Sequence, residues 1–490
     1  MNKHLGIRFN EIAKINGDKI ALRFSLKEKY TFGDLNILSE KFLNFFQLIN
    51  LKSNDCILIE SSKNLYSYVL IISCLKFGIS YSFIDISQAP SRIEKIIKKT
   101  KPKKIFLFTS KLKLKKSIHL SKEKIKRIID RPIIKKFVIK NKNPKIAYIM
   151  FTSGSTGVPK GVKISHSNLL YLIKWSKKFF NIDDKKVFTN LNPLHFDNSI
   201  FDFYCSLFNL ASLIPIQKNE ILYFNKLISK LNILKCNIWF SVPSLLNLIL
   251  NLNNPSIFKK LKVKNFIFGG EPFPLISARK IFKYNTNIQF FNVSGPTECT
   301  CICSAYRVKK KELLNDQNLY VGKINSYFNY KITNINKEKN IGELYLEGPA
   351  ISQGYVNDKL KTKEKFYKTR NFFGYKTGDI VKEYKNKLIK IIGRSDNQVK
   401  ISGHRIELEE IENTINKIFN LSQSLVVLKN KKTFPYKKLI LITNSKKLNL
   451  NSINKKLPKF LPNYMTPEEV TYTKNFKLNS NGKIDRKFYG

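Results

Sequence analysis

Residues 151–162 read FTSGSTGVPKGV, a dozen positions holding four hydroxyls, three glycines and one lysine. Chains grip polyphosphate with this chemistry, because glycine lets backbone N–H groups approach closely and tolerates positive φ. The spacing is not G-x-x-x-x-G-K-[ST], so the loop is not that of the nucleotide hydrolases. A Ser/Thr/Gly turn standing alone is more often only a turn. The surroundings of this one decide its meaning.

Working outward, the loop follows the apolar run KIAYIMF (145–151) and precedes the helical SHSNLLYLIKW (165–175). The same alternation runs through the first two-thirds of the chain. DCILIE (55–60), SYSFID (80–85), KIFLFT (104–109), NIWFSV (237–242) and NFIFGG (265–270) read as strands separated by segments of helical period. That pattern predicts an α/β fold of helix-covered, mainly parallel sheets. From about 320 to 393 short strands and turns (KITNI, GELYLEG, KLIKIIG) predict a small β-barrel-like subdomain. After GRSD (393–396), a strand and the amphipathic HRIELEEIENTINKIF lead into a compact α+β unit. The expected division is an N-terminal domain over 1–394 and a C-terminal domain over 395–490.

The 490 residues suit two to four folding units, and 43% hydrophobic content supports sizeable cores. The net charge of +53 raises nucleic acid or an anionic surface as partners. Lysine is spread along the whole chain, however, and the densest stretch (92–145) carries apolar pairs and a strand-like IFLF. It reads as folded structure with a solvated basic face, and no nucleic-acid partner is expected. Seven scattered cysteines argue against a disulfide framework and fit a reducing compartment. Cys299, Cys301 and Cys303 would share one face of a strand, but no second cluster at metal-site spacing accompanies them. The N-terminus has no signal-peptide pattern, and the longest apolar stretch, VLIISCLKFGISYSFIDI (69–86), is broken by Lys76 and Gly78. It reads as helix, turn and strand, with no membrane span. The expected location is the cytoplasm.

Three further polar clusters join the loop. NVSGPTE (292–298) follows a strand, and its Glu298 has the hard oxygen chemistry that Mg²⁺ prefers. In YKTGDIV (375–381), Asp379 follows a glycine, where a carboxylate suits a ribose diol or simply a solvated turn. NGKIDR (481–486) is an Asn-Gly turn presenting Lys483.

Taken in order, these blocks resemble the adenylate-forming superfamily of acyl-CoA synthetases, luciferases and nonribosomal peptide synthetase adenylation domains. YTFGDL (30–35), LKFGISYSFID (75–85), YIMFTSGSTGVPKGV (148–162), HFDNS (195–199), NVSGPTE, GELYLEGPAISQGY (342–355), YKTGD, GRSDNQVKISGHRIELEEIE (393–412) and NGKIDR all carry the likeness. The resemblance implies that ATP and a carboxylic acid form an acyl-adenylate with release of pyrophosphate, after which a thiol takes the acyl group. It implies that Thr152, Ser153, Gly154, Ser155, Gly157 and Lys160 grip the β,γ-phosphates. Glu298 and Thr156 would hold Mg²⁺, and Lys483 would bridge the carboxylate and the transferring phosphate. Asp379 and Arg394 would take the ribose. Gly270, Glu271, Asn292, Val293, Ser294, Gly295, Pro296 and Thr297 would bind the nucleotide, with Gly270, Glu271 and the Asn292 segment bordering the adenine. Asp396 would be the hinge of a small, mobile C-terminal lid, whose KISGHR (400–405) would face the incoming pantetheine.

The resemblance also speaks to the acid. Asp197 of HFDNS stands where amino-acid-activating members neutralise the substrate ammonium, and a carboxylate there would suit a plain fatty acid poorly. Asn198, Phe201, Phe240, Phe268, Val293, Cys301 and Ile302 would complete an apolar pocket. FIFGGEP (266–272) and NIWFSVPSLLNL (237–248) are similar to the D-alanine:carrier-protein ligases, so an alanine-like acid heads the expectation. The chain ends seven residues after Lys483, which predicts transfer to the phosphopantetheine of a separate acyl or peptidyl carrier protein. The alternative is an acyl- or aryl-acid CoA synthetase of the same superfamily. One departure stands out. The third position of NVSGPTE is Ser294, where an aromatic residue usually stacks on adenine, leaving Phe291 to compensate or the base less well held.

Overall fold

The computed structural model describes residues 4–109, 112–133, 137–139, 145–314, 319–336, 338, 340–430, 437–446, 448–478 and 484–490. The chain divides into two compact units. One comprises Met1–Ile84, Thr100–Met150 and Gly161–Ser395, the other Asp85–Lys99, Phe151–Lys160 and Asp396–Gly490.

Three sheets build the first unit. A nine-stranded sheet runs in the order 323–324, 304–307, 289–294, 265–269, 238–241, 187–190, 212–215, 20–23, 29–31. Its interior pairs are parallel, and antiparallel partners close both edges. The second sheet orders its strands 117–119, 104–107, 56–60, 80–84, 146–152, 160–165. The third is antiparallel throughout, with strands 329–336, 341–348, 373–384 and 366–368 in order and 388–394 paired to 373–384. Its strands lie between residues 329 and 394. The large domain is thus α/β with mixed sheets. The stretch 69–86 resolves as the end of helix Leu65–Phe77, a stop at Gly78 in the left-handed region (φ 78°), and strand Ser80–Ile84. That strand is buried at every position, as a parallel strand covered on both faces must be.

Strand parity divides the nine-stranded sheet between two cores. Ile238, Phe240, Ile267, Phe291 and Val293 join the cluster on one face. Trp239, Phe266, Phe268 and Phe290 join the cluster on the other. CTCIC is not a strand. Cys299 ends a short 3₁₀ turn, and Thr300 and Cys301 both take positive φ (55° and 73°), so the chain turns before strand Ser304–Arg307 begins.

The second unit is α+β. A hairpin, Gln398–Ile401 with His404–Glu407, leads into helix Leu408–Phe419, which packs Ile411 and Ile415 against Val426 and Leu441 of the sheet 424–430, 437–443, 469–472. Arg486, three residues beyond Lys483, pairs with Glu412 at 2.8 Å and so ties the chain's end to that helix. Among the described residues no helix is long and apolar enough to cross a membrane.

One polar knot in the first unit has no counterpart among the sequence expectations. The buried Lys63 ammonium donates to the carbonyls of Asn190, Leu191 and Ile216 at 2.7–2.8 Å. Three acceptors for three hydrogens favour the charged form, although burial draws its pKa down to about 7. Nearby, Asp202 accepts from Asn190 and Asn192. Burial raises its pKa to about 8, against the pull of those amides and of Lys63.

A carboxyl whose pKa is raised by folding stabilises fully while both states keep the proton, and loses that contribution as the unfolded chain ionises. The Asp202 contribution is therefore complete below about pH 4 and declines towards pH 8. Melting temperatures measured across this window for the wild type and Asp202→Asn should show a shallower decline in the variant. Parallel curves would remove Asp202 as the cause.

Candidate functional site

The residues singled out from the sequence fall into two groups, one in each unit. In the first unit, the segment 191–205 carries Asp197 across the carboxyl ends of the parallel strands. In open α/β sheets this is where ligands bind. Asp197 Oδ2 accepts a 2.5 Å hydrogen bond from Thr297 Oγ1, joining HFDNS to NVSGPTE. Cys301 lies beside Asp197. Its thiol is held well above the ordinary value, first by burial and then by the Asp197 charge. Phe201 and Phe240 meet edge to face at 5.2 Å, and both are fully enclosed. A Cβ on Gly269 would meet Val293 Cγ2 at 2.8 Å and the Phe240 ring at 3.4 Å. A Cβ on Gly270, itself at φ 87°, would stand 3.9 Å from Asn198 Nδ2. Asp197, Asn198, Phe201, Phe240, Val293, Thr297 and Cys301 are therefore neighbours. Ile302 joins them through Gly295, whose Cβ would strike the 301–303 backbone.

Phe268 does not join them. Its side chain packs against Phe273 and Phe290 on the opposite face of the sheet. The residue facing Phe240 and Val293 is the adjacent Gly269. A one-residue step along a strand exchanges faces, and the alternation from Phe240 through its register partner Ile267 carried that signal.

Several residues expected at the nucleotide are held by neighbours. Glu271 Oε2 accepts from the Ser244 N–H in the first turn of helix Pro243–Leu252, a favourable place for a carboxylate. Asn292 donates to the Tyr320 carbonyl at 2.8 Å. Ser294 is partly exposed, and Phe291 is packed in the core against Phe180 at 5.3 Å, so it does not stand in for an aromatic at 294. Asp379 and Arg394 form an ion pair at 2.7 Å on adjacent antiparallel strands.

Glu298 is completely buried and accepts from Tyr355 OH at 2.7 Å. Tyr355 belongs to the GELYLEGPAISQGY block, but no role was read for it from sequence. Among the described residues no three His, Cys, Asp or Glu side chains cluster to hold a metal by themselves. A single carboxylate fits Mg²⁺ that arrives with nucleotide phosphates and keeps several waters.

The loop 151–160 belongs to the second unit. Gly154 is required by geometry, since a Cβ there would lie 2.1 Å from the Val158 carbonyl oxygen, and Gly157 sits at φ 75°. Thr156 is exposed, and the buried Thr152 hydroxyl has no partner among the described residues. The other loop groups are engaged. Ser153 Oγ donates to the Arg405 carbonyl at 2.7 Å. The Gly154 N–H donates to Glu410 Oε2 at 3.2 Å, and Lys160 Nζ donates to Glu407 Oε1 at 2.8 Å. Lys95 donates to the Gly157 carbonyl and Asn413 to that of Ser155. Burial raises the Glu410 carboxyl above its ordinary value, while Arg92, the Gly154 N–H and Lys95 pull it back. None of Arg92, Lys95, Glu407 and Glu410 was singled out from sequence. The spacing of two acids three residues apart at a helix start was the available signal. Asp396 accepts weakly from the Gln398 N–H, and Lys483 lies outside the described residues.

Comparison with known proteins identifies the family. The family model described as AMP-binding enzyme matches residues 9–356. The chain is similar to the D-alanine--D-alanyl carrier protein ligase of Listeria monocytogenes serotype 4b (strain CLIP80459), 28% identical over 487 residues, covering 94% of this chain and 93% of that one. It is 31% identical to the Bacillus cereus (strain G9842) ligase of the same name over 437 residues, with 85% of each covered. Among solved structures, the Vibrio cholerae adenylation domain AlmE in complex with glycyl-adenosine-5'-phosphate shares the fold. Its TM-score is 0.79 and its identity 21%, covering 100% of this chain and 98% of that one. The chain belongs to the AMP-binding enzyme family, the adenylate-forming enzymes.

Proposed function

We propose that this enzyme activates D-alanine and loads it onto a separate carrier protein. The wider activity follows from the family. The chain is an AMP-forming ligase that adenylates an amino-acid carboxylate with ATP and passes the acyl group as a thioester to a carrier's phosphopantetheine. What supports the amino acid is Asp197, a carboxylate held by Thr297 among Cys301, Phe201 and Phe240. A half-buried carboxylate beside apolar rings suits a cationic substrate group, and the substrate ammonium is one. The rings of Phe201 and Phe240 suit a small apolar side chain such as a methyl group. The names of the relatives favour the D-isomer.

The chemistry brings an anionic carboxylate against an anionic α-phosphate, so positive charge must accumulate where they meet. Lys483 would donate to both. Glu298 and Thr156 would be the protein groups that hold Mg²⁺, which would offset the phosphate charge. The loop with Lys160 would retain the leaving pyrophosphate, while Asp379 beside Arg394 would accept the ribose hydroxyls. Asp396 would be the pivot on which the C-terminal domain alternates between adenylation and thiolation. The basic surface would speed encounter with an acidic carrier.

ATP–pyrophosphate exchange measured over the twenty amino acids and their D-forms should be stimulated most by D-alanine. No stimulation by any of them would defeat the amino-acid reading, and CoA thioesters formed from amine-free acids would install the acyl-CoA synthetase in its place. Asp197→Ala should abolish amino-acid-dependent exchange. Lys483→Ala should slow adenylation by about 10²-fold or more, because it removes a group bound to the transition-state charge, while ATP still binds.

A further inference from the structure

The phosphate loop is already occupied, and by anions. Within the second unit, the Lys160 ammonium is paired with Glu407 at 2.8 Å, with the two side chains only 9% and 8% exposed. The Gly154 N–H is taken by Glu410, whose other oxygen lies 3.4 Å from Arg92 Nη1. Glu407 and Glu410 flank the start of helix Leu408–Phe419, so one short stretch presents both carboxylates to one loop. A carboxylate oxygen offers a lysine and a backbone amide what a non-bridging phosphate oxygen offers them, namely a negative acceptor at hydrogen-bond distance. The one Gly154 hydrogen cannot serve both at once, and a Lys160 held by Glu407 meets phosphate with its charge already offset.

We propose that Glu407 and Glu410 are internal competitors of the nucleotide's β- and γ-phosphates. They occupy the loop when no nucleotide is bound, are displaced when ATP enters, and reclaim Lys160 and the Gly154 amide once the adenylate has formed. Their return blocks pyrophosphate from rebinding and so disfavours reversal of the first step. Glu407 and Glu410 touch neither the reacting carboxylate nor the α-phosphate, and act by positioning the loop. The proposal rests on the reading of 152–160 as the phosphate grip.

The test is the dissociation constant of magnesium pyrophosphate, measured by calorimetry on the full-length chain. Glu407→Gln and Glu410→Gln keep the shape and remove the charge. Each should bind pyrophosphate at least about threefold more tightly than the wild type, because a larger fraction of loops is free to accept it. The KM for ATP in the exchange reaction should fall in parallel, and pyrophosphate should inhibit thioester formation at lower concentration. Glu409→Gln is the control. It removes the same charge from the same helical turn, but Glu409 faces Asn397 and Arg486 instead of the loop. Its pyrophosphate affinity should match the wild type. Thermal melts establish that each variant is folded, and either glutamine variant alone suffices if the other is not. Unchanged affinity in the folded variants would overturn the proposal, as would an equal gain in Glu409→Gln, which would assign the effect to net charge. If exchange proceeds and the affinities do not move, only this inference fails. If no variant binds pyrophosphate, the loop's role as the grip fails with it.

Discussion

A single buried ammonium organises the part of the first unit that carries Asp197. Lys63 follows strand 56–60 of the six-stranded sheet and donates to carbonyls at the ends of strands 187–190 and 212–215 of the nine-stranded sheet. The Asn190 carbonyl also accepts from the Ile216 N–H at 3.2 Å, and leaving such carbonyls buried and short of donors would be costly. One lysine satisfies three of them and fixes the spacing of the two sheets where segment 191–205 departs. Ser61 meets His195 at 2.9 Å, and Gln217 donates to the Lys63 carbonyl. Asn192 donates to the Phe240 carbonyl and to Asp202. Asp197 is thereby aimed from a segment anchored at both ends. Asp197 stands on a hydrogen-bonded base.

That base was not legible in the sequence. ESSKN at 60–64 has no spacing that distinguishes it from a polar turn, because its meaning lies in carbonyls more than a hundred residues away. The features that were legible share a local cause. Strand–helix alternation, the glycines of loop 151–160 and the stop at Gly78 all follow from the chain's own geometry, so the residues that need them announce them. Phe268 illustrates the limit between the two kinds. Its apolar character was read correctly and its face was not, since an aromatic residue serves either core of a sheet covered on both sides. Only the register against Phe240 separates it from Gly269.

The same distinction governs charge. The carboxylates that could be read from sequence, Asp197, Glu298 and Asp379, stand in blocks that resemble the family's motifs. Each is held by a nearby group, Thr297, Tyr355 or Arg394, that leaves it oriented. Glu407 and Glu410 sit instead in an ordinary amphipathic helix start, where acids favour the helix dipole and need no further reason. Their second role appears only when the loop is seen against them.

That second role answers a difficulty inherent in any phosphate grip. A loop that binds polyphosphate must carry fixed positive charge in a place that excludes water, and a buried cation without a partner is strongly destabilising. Lys160, 7% exposed, could not stand there alone. If Glu407 holds it whenever phosphate does not, the lysine is paired in every state, and binding becomes an exchange of one anion for another. The desolvation cost is then met during folding, once, and does not recur in each turnover. The net free energy of phosphate binding is smaller by the strength of the pair it breaks, which weakens substrate binding and product retention together. For an enzyme that must release pyrophosphate before a thiol can attack, the weaker retention is the useful half of that trade. The pairing also explains why the competing acids belong to a helix start. Two carboxylates fixed by one turn arrive and leave together, so the lysine and the loop amide change partners as a unit.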